Sequence, residues 1–191
     1  MALLDLYRDS VDAFTRRVAT IRPEQWHAAT PCTEWDVRTL VNHIVYEQRW
    51  SAPLFQGATI AEVGERFEGD LLGDDPTGNA ASAGKEAKDA VAGPDVLTRT
   101  VHLSFGDTPG EEYVRQLFAD HLVHGWDLAV AIGADRRLNP DAVHEVMDWY
   151  ADREDAYRGT GMIGPRVPLP PDASEQDRLL ARFGRDPHWP S

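Results

Sequence analysis

At 191 residues, with 42% hydrophobic residues and six tryptophans, the chain is long enough to bury a core without staples and is globular rather than disordered. Its net charge of -13 opposes nonspecific nucleic-acid binding, which needs Lys and Arg set against phosphates. A single cysteine, Cys32, excludes an internal disulfide framework and suits a reducing cytosol, so a cytoplasmic protein is expected.

No apolar run approaches the roughly eighteen residues that a membrane span requires, so no membrane partner is expected. The start, MALLDLYRDSVDAF, carries acidic residues within its apolar pattern and no basic leader, unlike a signal peptide.

In chain order, Leu3, Leu6, Tyr7, Val11, Phe14 and Val18 recur at three- and four-residue steps. This spacing predicts an amphipathic helix over 2–21, ended by the bias against helical backbone ahead of Pro23. Pro23 and Pro31 frame a connection, and Thr33 followed by Asp36 is a capping-box-like start. The second helix then runs from about 34 to 50, with Val37, Leu40, Val41, Ile44 and Val45 as its buried stripe and His43 at the edge of it. A GDDPTGN turn cluster leads into an Ala-rich helix over 80–92, which Gly93-Pro94 ends. Alternating Val101, Leu103 and Phe105 suggest a short extended segment turning at Gly106-Asp107. A long helix follows over 110–133, with Val114, Leu117, His121, His124, Leu128 and Ala131 at heptad-like spacing. Asn139-Pro140 opens a further helix over 141–157, and Ser174 and Gly184 bound a last short one. With no repeat and no convincing linker, residues 1–191 read as one mostly helical domain.

The chemistry concentrates in DHLVHGWDL, residues 120–128. Positions four apart share a helix face, so Asp120 and His124 point the same way, with Asp127 almost in line beyond them. Their side of the helix also carries Leu117 and Leu128, where an unpaired carboxylate would cost several kcal/mol. A cation would compensate a buried Asp-His pair, although such pairs also occur as ordinary helix neighbours. Zinc usually takes three protein ligands where one position stays open, and His43, on a helix of the same core, is the favoured third. His121 competes through an HxxH spacing with His124, but about 100° of rotation separates it from Asp120, which favours core packing or a supporting role. Glu47, one turn beyond His43, reads as a fourth ligand, a proton-transfer group or a solvated partner of Arg49 or another surface charge, the last being favoured. Cys32 stands near the start of the second helix, where the dipole lowers a thiol pKa, yet nothing near it in sequence looks like a base. It reads as structural. Glu65, Glu68, Asp70, Asp74 and Asp75 lack EF-hand spacing and read as solvated loop.

Three stretches, PCTEWDVRTLVNHI, FGDTPGEEYVRQLFADHLVHGWDLAVAIG and PDASEQDRLLARFGRDP, resemble the DinB-like superfamily. More closely, they resemble its actinobacterial branch related to the mycothiol-dependent maleylpyruvate isomerase metal-binding domain. The resemblance implies a mostly α, DinB-like four-helix bundle with a short extra C-terminal helix. It implies a divalent metal held by a histidine of the second helix and two residues, four apart, of a later one, which here are His43, Asp120 and His124. Zinc is the expected ion, with nickel and iron as alternatives. A mycothiol-like thiol and an electrophilic substrate are the implied small-molecule partners, and thiol S-transferase or isomerase chemistry the implied activity. The isomerase is similar in having Glu where this chain has Asp120, and it carries a further C-terminal domain, so maleylpyruvate isomerisation itself is not implied. A non-catalytic metal-binding or stress-response module is the alternative. A homodimer, formed in a third reading through Trp-rich faces of a metal-free domain, completes the expectations.

Overall fold

The computed structural model describes residues 2–159, 161 and 163–190. Helix α1 (Leu3–Val18) buries Leu6, Tyr7, Val11, Phe14 and Val18 along one side, the stripe that its spacing requires. Helix α2 (Val37–Phe55) starts at Asp36, whose carboxylate accepts the Thr39 N–H at 2.8 Å. The helix therefore begins a few residues later than the expected start near 34, and Asp36 rather than Thr33 is the cap. The reason is a tight loop just before it. Glu34 adopts a φ of 72°, the Thr30 hydroxyl donates to the Trp35 carbonyl at 2.9 Å, and it accepts the Cys32 N–H at 3.1 Å.

A single turn that periodicity does not reveal, α3 (Ile60–Val63), is capped by Thr59. Helix α4 (Pro76–Ala90) opens earlier than expected, with Asp75 as cap and Pro76 at the first position, where its missing N–H costs nothing. The extended segment is a hairpin: β1 (Thr100–Leu103) and β2 (Gly106–Pro109) run antiparallel, with Val101 opposite Thr108. Helix α5 (Gly110–Ala131) follows directly. The expected helix over 141–157 is two pieces, α6 (Pro140–Ala151) and α7 (Glu154–Gly159), because the chain leaves helical pairing at Asp152. Helix α8 (Glu175–Arg182) has the predicted Ser174 cap and turns at Gly184, whose φ is 75°.

The long helices form a closed bundle. Helix α1 packs on α4 and α5, and α2 packs on the same two, while α6 bridges α5 and α8 and the hairpin lies against α2 and α5. This is the mostly α, DinB-like bundle with its short C-terminal helix and small extended piece. No helix among the described residues is long and apolar enough to cross a membrane. Surrounded by α1, α2, α6 and the hairpin, α5 is buried on nearly every side from Leu117 to Val130. Its polar residues there therefore face protein in nearly every direction, with Asp120 alone keeping a third of its side chain exposed. That is why they need partners.

The junction between the hairpin and α5 leaves no room for a side chain. A Cβ on Gly110 would stand 2.0 Å from the backbone oxygen of Val96, and the Gly110 N–H already donates to Arg99 O at 2.7 Å. Backbone cannot yield as a flexible side chain can. Gly110→Ala is expected to cost about 2 kcal/mol in urea unfolding, as overpacking does; an unchanged midpoint would show that this turn shifts freely.

Candidate metal centre

Helix α2 brings His43 to the bundle interior from one side, and α5 brings Asp120 and His124 from the other. His43 Nε2 lies 3.1 Å from Asp120 Oδ2, and His124 Nε2 lies 3.3 Å from Asp120 Oδ1. The two imidazole centroids are 5.0 Å apart. One donor atom from each of the three residues falls within 4.8 Å of the others, a spread that one divalent ion can bridge. The donor set of two imidazoles and a carboxylate suits zinc, nickel or iron, so the residues present fit such an ion. His124 is buried, whereas the side chains of His43 and Asp120 keep 27% and 32% exposure, so the cluster opens to solvent on their side.

Electrostatics bind the cluster together. Burial alone favours the neutral acid at Asp120, but the charges and hydrogen bonds of His124 and His43 outweigh it and hold the carboxyl well below its usual range. Burial disfavours a charged His124, yet the Asp120 carboxylate, with Asp127 and Cys32 behind, raises its pKa well above the ordinary value. Glu47 is pushed up to about 7, by burial first and by the Asp120 charge second. It is not the partner of Arg49, which pairs with Glu86 instead. The reading of Glu47 as a solvated surface partner is corrected by its place beside the cluster.

His121 points away from that cluster. Its Nδ1 donates to Leu117 O at 2.7 Å, leaving Nε2 to accept from the Gln48 amide at 2.9 Å. The rings of Tyr7 and Phe14 stand edge-on to it, and burial lowers its pKa to about 4. His121 is a satisfied core residue with both nitrogens engaged. A cavity of about 350 Å³ between α1 and α5 is lined by Leu6, Phe14, His121 and Leu122, among others, and includes none of His43, Asp120 and His124.

Behind His124 lies a second layer. Its Nδ1 is 3.0 Å from Asp127 Oδ2, within hydrogen-bonding distance, so Asp127 can take that N–H and turn Nε2 towards Asp120. Asp127 has no exposed surface; burial would push its carboxyl up, but Arg185 and His124 bring it below the usual value. The Cys32 thiol donates to Asp127 Oδ2 at 3.2 Å and sits 3.7 Å from His124 Nδ1. Cys32, apart from any base in sequence, thus has an imidazole and a carboxylate beside it in space. Trp35, from the same loop, stacks on His124 with centroids 5.7 Å apart and tilts over His43 at 4.9 Å. Trp35 and Arg185 both lie in stretches that carry the resemblance, PCTEWDVRTLVNHI and PDASEQDRLLARFGRDP, but nothing in their spacing assigns either a role. A further signal was Asp127 itself, a carboxylate on the buried half of a helix, which demands a cation from somewhere.

The remaining histidines with described partners carry surface pairs: His27 with Asp36, His102 with Asp107, and His144 with Glu175. Of the acidic loop residues, Asp70 accepts from Arg38 and Asp75 caps α4, and among the described residues neither falls in a group of side chains close enough to share an ion.

Comparison with known proteins places these residues in context. A match to the family described as mycothiol maleylpyruvate isomerase N-terminal domain spans residues 7–129. That span holds Cys32, His43, Asp120, His124 and Asp127, but not Arg185. Two curated proteins of Mycobacterium tuberculosis, Uncharacterized protein MT0763 of strain CDC 1551 / Oshkosh and Uncharacterized protein Rv0738 of strain ATCC 25618 / H37Rv, resemble the chain. Each is 30% identical to it over 180 residues, which is 91% of this chain and 92% of the relative. No solved structure gives a significant match.

Proposed function

Because the chain belongs to the mycothiol maleylpyruvate isomerase N-terminal domain family, we propose that it is a metal-dependent protein that activates a low-molecular-weight thiol for attack on an electrophile. His43, Asp120 and His124 hold the ion, zinc first among the candidates. When bound, the ion would supply Lewis acidity and lower the pKa of a thiol such as mycothiol. The observation that carries this reading is the convergence of three donors within 4.8 Å on a face that His43 and Asp120 leave partly open.

The chain's own residues would do the rest. Asp127 orients the His124 ring, and Trp35 walls one side of the cluster with an apolar surface that excludes water. Glu47, one turn beyond His43 on α2 and near enough to Asp120 for their charges to interact, is the group assigned to take up the thiol proton. A purely structural ion would call for a fourth protein ligand. His121, the obvious one on α5, has both nitrogens occupied elsewhere, and this supports an open position.

The test is calorimetric titration of mycothiol into zinc-loaded protein and into protein stripped with a chelator. Saturable binding is expected in the loaded protein alone. Heats that are absent, or identical in the two, would remove the thiol reading while leaving metal binding untouched.

A further inference from the structure

The family match stops at residue 129, yet the innermost support of the candidate centre comes from far beyond it. Helix α8 is anchored by Leu179 and Leu180, both fully buried, and Leu180 packs with Trp126 and Val130 of α5. The chain then turns at Gly184, where the left-handed φ of 75° favours glycine and a Cβ would press on the Gly164 backbone at 3.2 Å. This turn sends Arg185 back into the bundle. Its side chain is 15% exposed and grips both carboxylate oxygens of Asp127: Nε lies 3.3 Å from each, and Nη2 is 3.0 Å from Oδ2. Nη2 also lies 3.2 Å from Cys32 Sγ, and Nη1 donates to Phe183 O at 2.8 Å.

Three residues from two parts of the sequence, α5 and the C-terminal segment, thus form one line, Arg185 to Asp127 to His124. A ligand imidazole is held in tautomer and orientation by the acceptor on its other nitrogen. Here that acceptor is a carboxylate with no access to water, which cannot keep its place or charge cheaply without a cation. The planar guanidinium fixes the plane of the carboxylate as well as its charge, which a point charge would not do. Cys32, Asp127 and His124 also lie within ligand reach of one another, but the guanidinium already supplies positive charge at that spot. It stands where a second ion would otherwise compensate them.

We infer that Arg185, delivered by the C-terminal segment, is a positioning residue for the metal centre, acting through Asp127 to set the ring of His124. This rests on the proposed ligand set of His43, Asp120 and His124. The test measures zinc affinity by competition with a chromophoric chelator, and records the visible spectrum of the cobalt-substituted protein. The proteins are wild type, Arg185→Gln, Arg185→Lys, Asp127→Asn and the double variant R185Q/D127N, each checked for helicity by circular dichroism. Arg185→Gln is expected to weaken zinc binding roughly 10- to 100-fold, the range for loss of a supporting partner, and to perturb the cobalt bands. Arg185→Lys should recover part of the loss, and the double variant should bind no more weakly than D127N alone, since the two residues act in series. Wild-type affinity in folded R185Q, or losses that multiply in the double variant, would overturn the inference with the metal site intact. Should R185Q lose its helicity, R185K decides: wild-type affinity there overturns the inference, and a loss with altered cobalt bands upholds it. Wild-type protein that takes up no zinc would sink the ligand set itself, and this inference with it.

Discussion

His124→Ala is expected to empty the metal centre. Protein purified without chelator should carry about one ion per chain in the wild type, as a site with one set of three protein ligands implies, and background metal in the variant. The removed ring supplies one donor of three, takes the Asp127 contact with it, and leaves Trp35 without its stacking partner. His43 and Asp120 would remain 3.1 Å apart, a hydrogen-bonded pair with no third arm. The loss should therefore exceed the roughly 10- to 100-fold cost of deleting a supporting hydrogen bond. Asp120→Glu is the informative contrast. It keeps the carboxylate on a longer arm, so metal should stay while His124→Ala loses it. Elemental analysis of both proteins decides, and undiminished metal in His124→Ala would show that the ion sits elsewhere or nowhere.

Much of this site could be read before any coordinates, for a geometric reason. Asp120 and His124 lie one turn apart on one helix, so their convergence follows from the helical period alone, and His43 sits on the margin of a stripe that had to face the same core. The bundle was legible for the same reason, since long amphipathic helices announce themselves at every turn. What escaped depends on loops. Cys32 and Trp35 reach the site because the Thr30–Trp35 loop closes on its own hydroxyl and passes through a left-handed Glu34, a conformation that no periodicity encodes. Arg185 is 58 positions from Asp127 and arrives by way of a glycine turn after a short helix. Glu47 and Arg49 look like natural neighbours in sequence, yet two residues apart on a helix they diverge by about 200°, and Arg49 finds Glu86 on α4 instead. The break at Asp152 and the late start of α2 are of the same kind: terminal turns are decided by local capping, with little pattern to mark them.

The dependence of the site on the C-terminal segment makes Trp126 the most consequential apolar side chain to remove. It lies between His124 and Asp127 in sequence but projects from another face of α5, where it is wholly buried with Val130 and Leu180, and Leu138 and Trp189 pack against them. Its indole N–H has no hydrogen-bond partner among the described residues, so truncation forfeits packing and no hydrogen bond. Trp126→Ala is expected to cost about 3–5 kcal/mol, the range for deleting a buried large aromatic. For a chain of this size that corresponds to a fall in melting temperature of roughly 6–20 °C. The damage should not be even. Leu180 loses the surface that seats α8, so amide protons of α8 should exchange faster than those of α1 and α2, which contribute no residue to this cluster among the described residues. If Arg185 is seated through α8, zinc affinity should fall in Trp126→Ala even at temperatures where the bundle is folded, and Trp126→Phe should restore most of the stability and the affinity together. Stability lost with affinity kept would separate the two, placing the grip of Arg185 on Asp127 beyond the reach of this cluster. A loss below about 1 kcal/mol would mean that the cavity collapses around the missing ring, as a loosely packed site can.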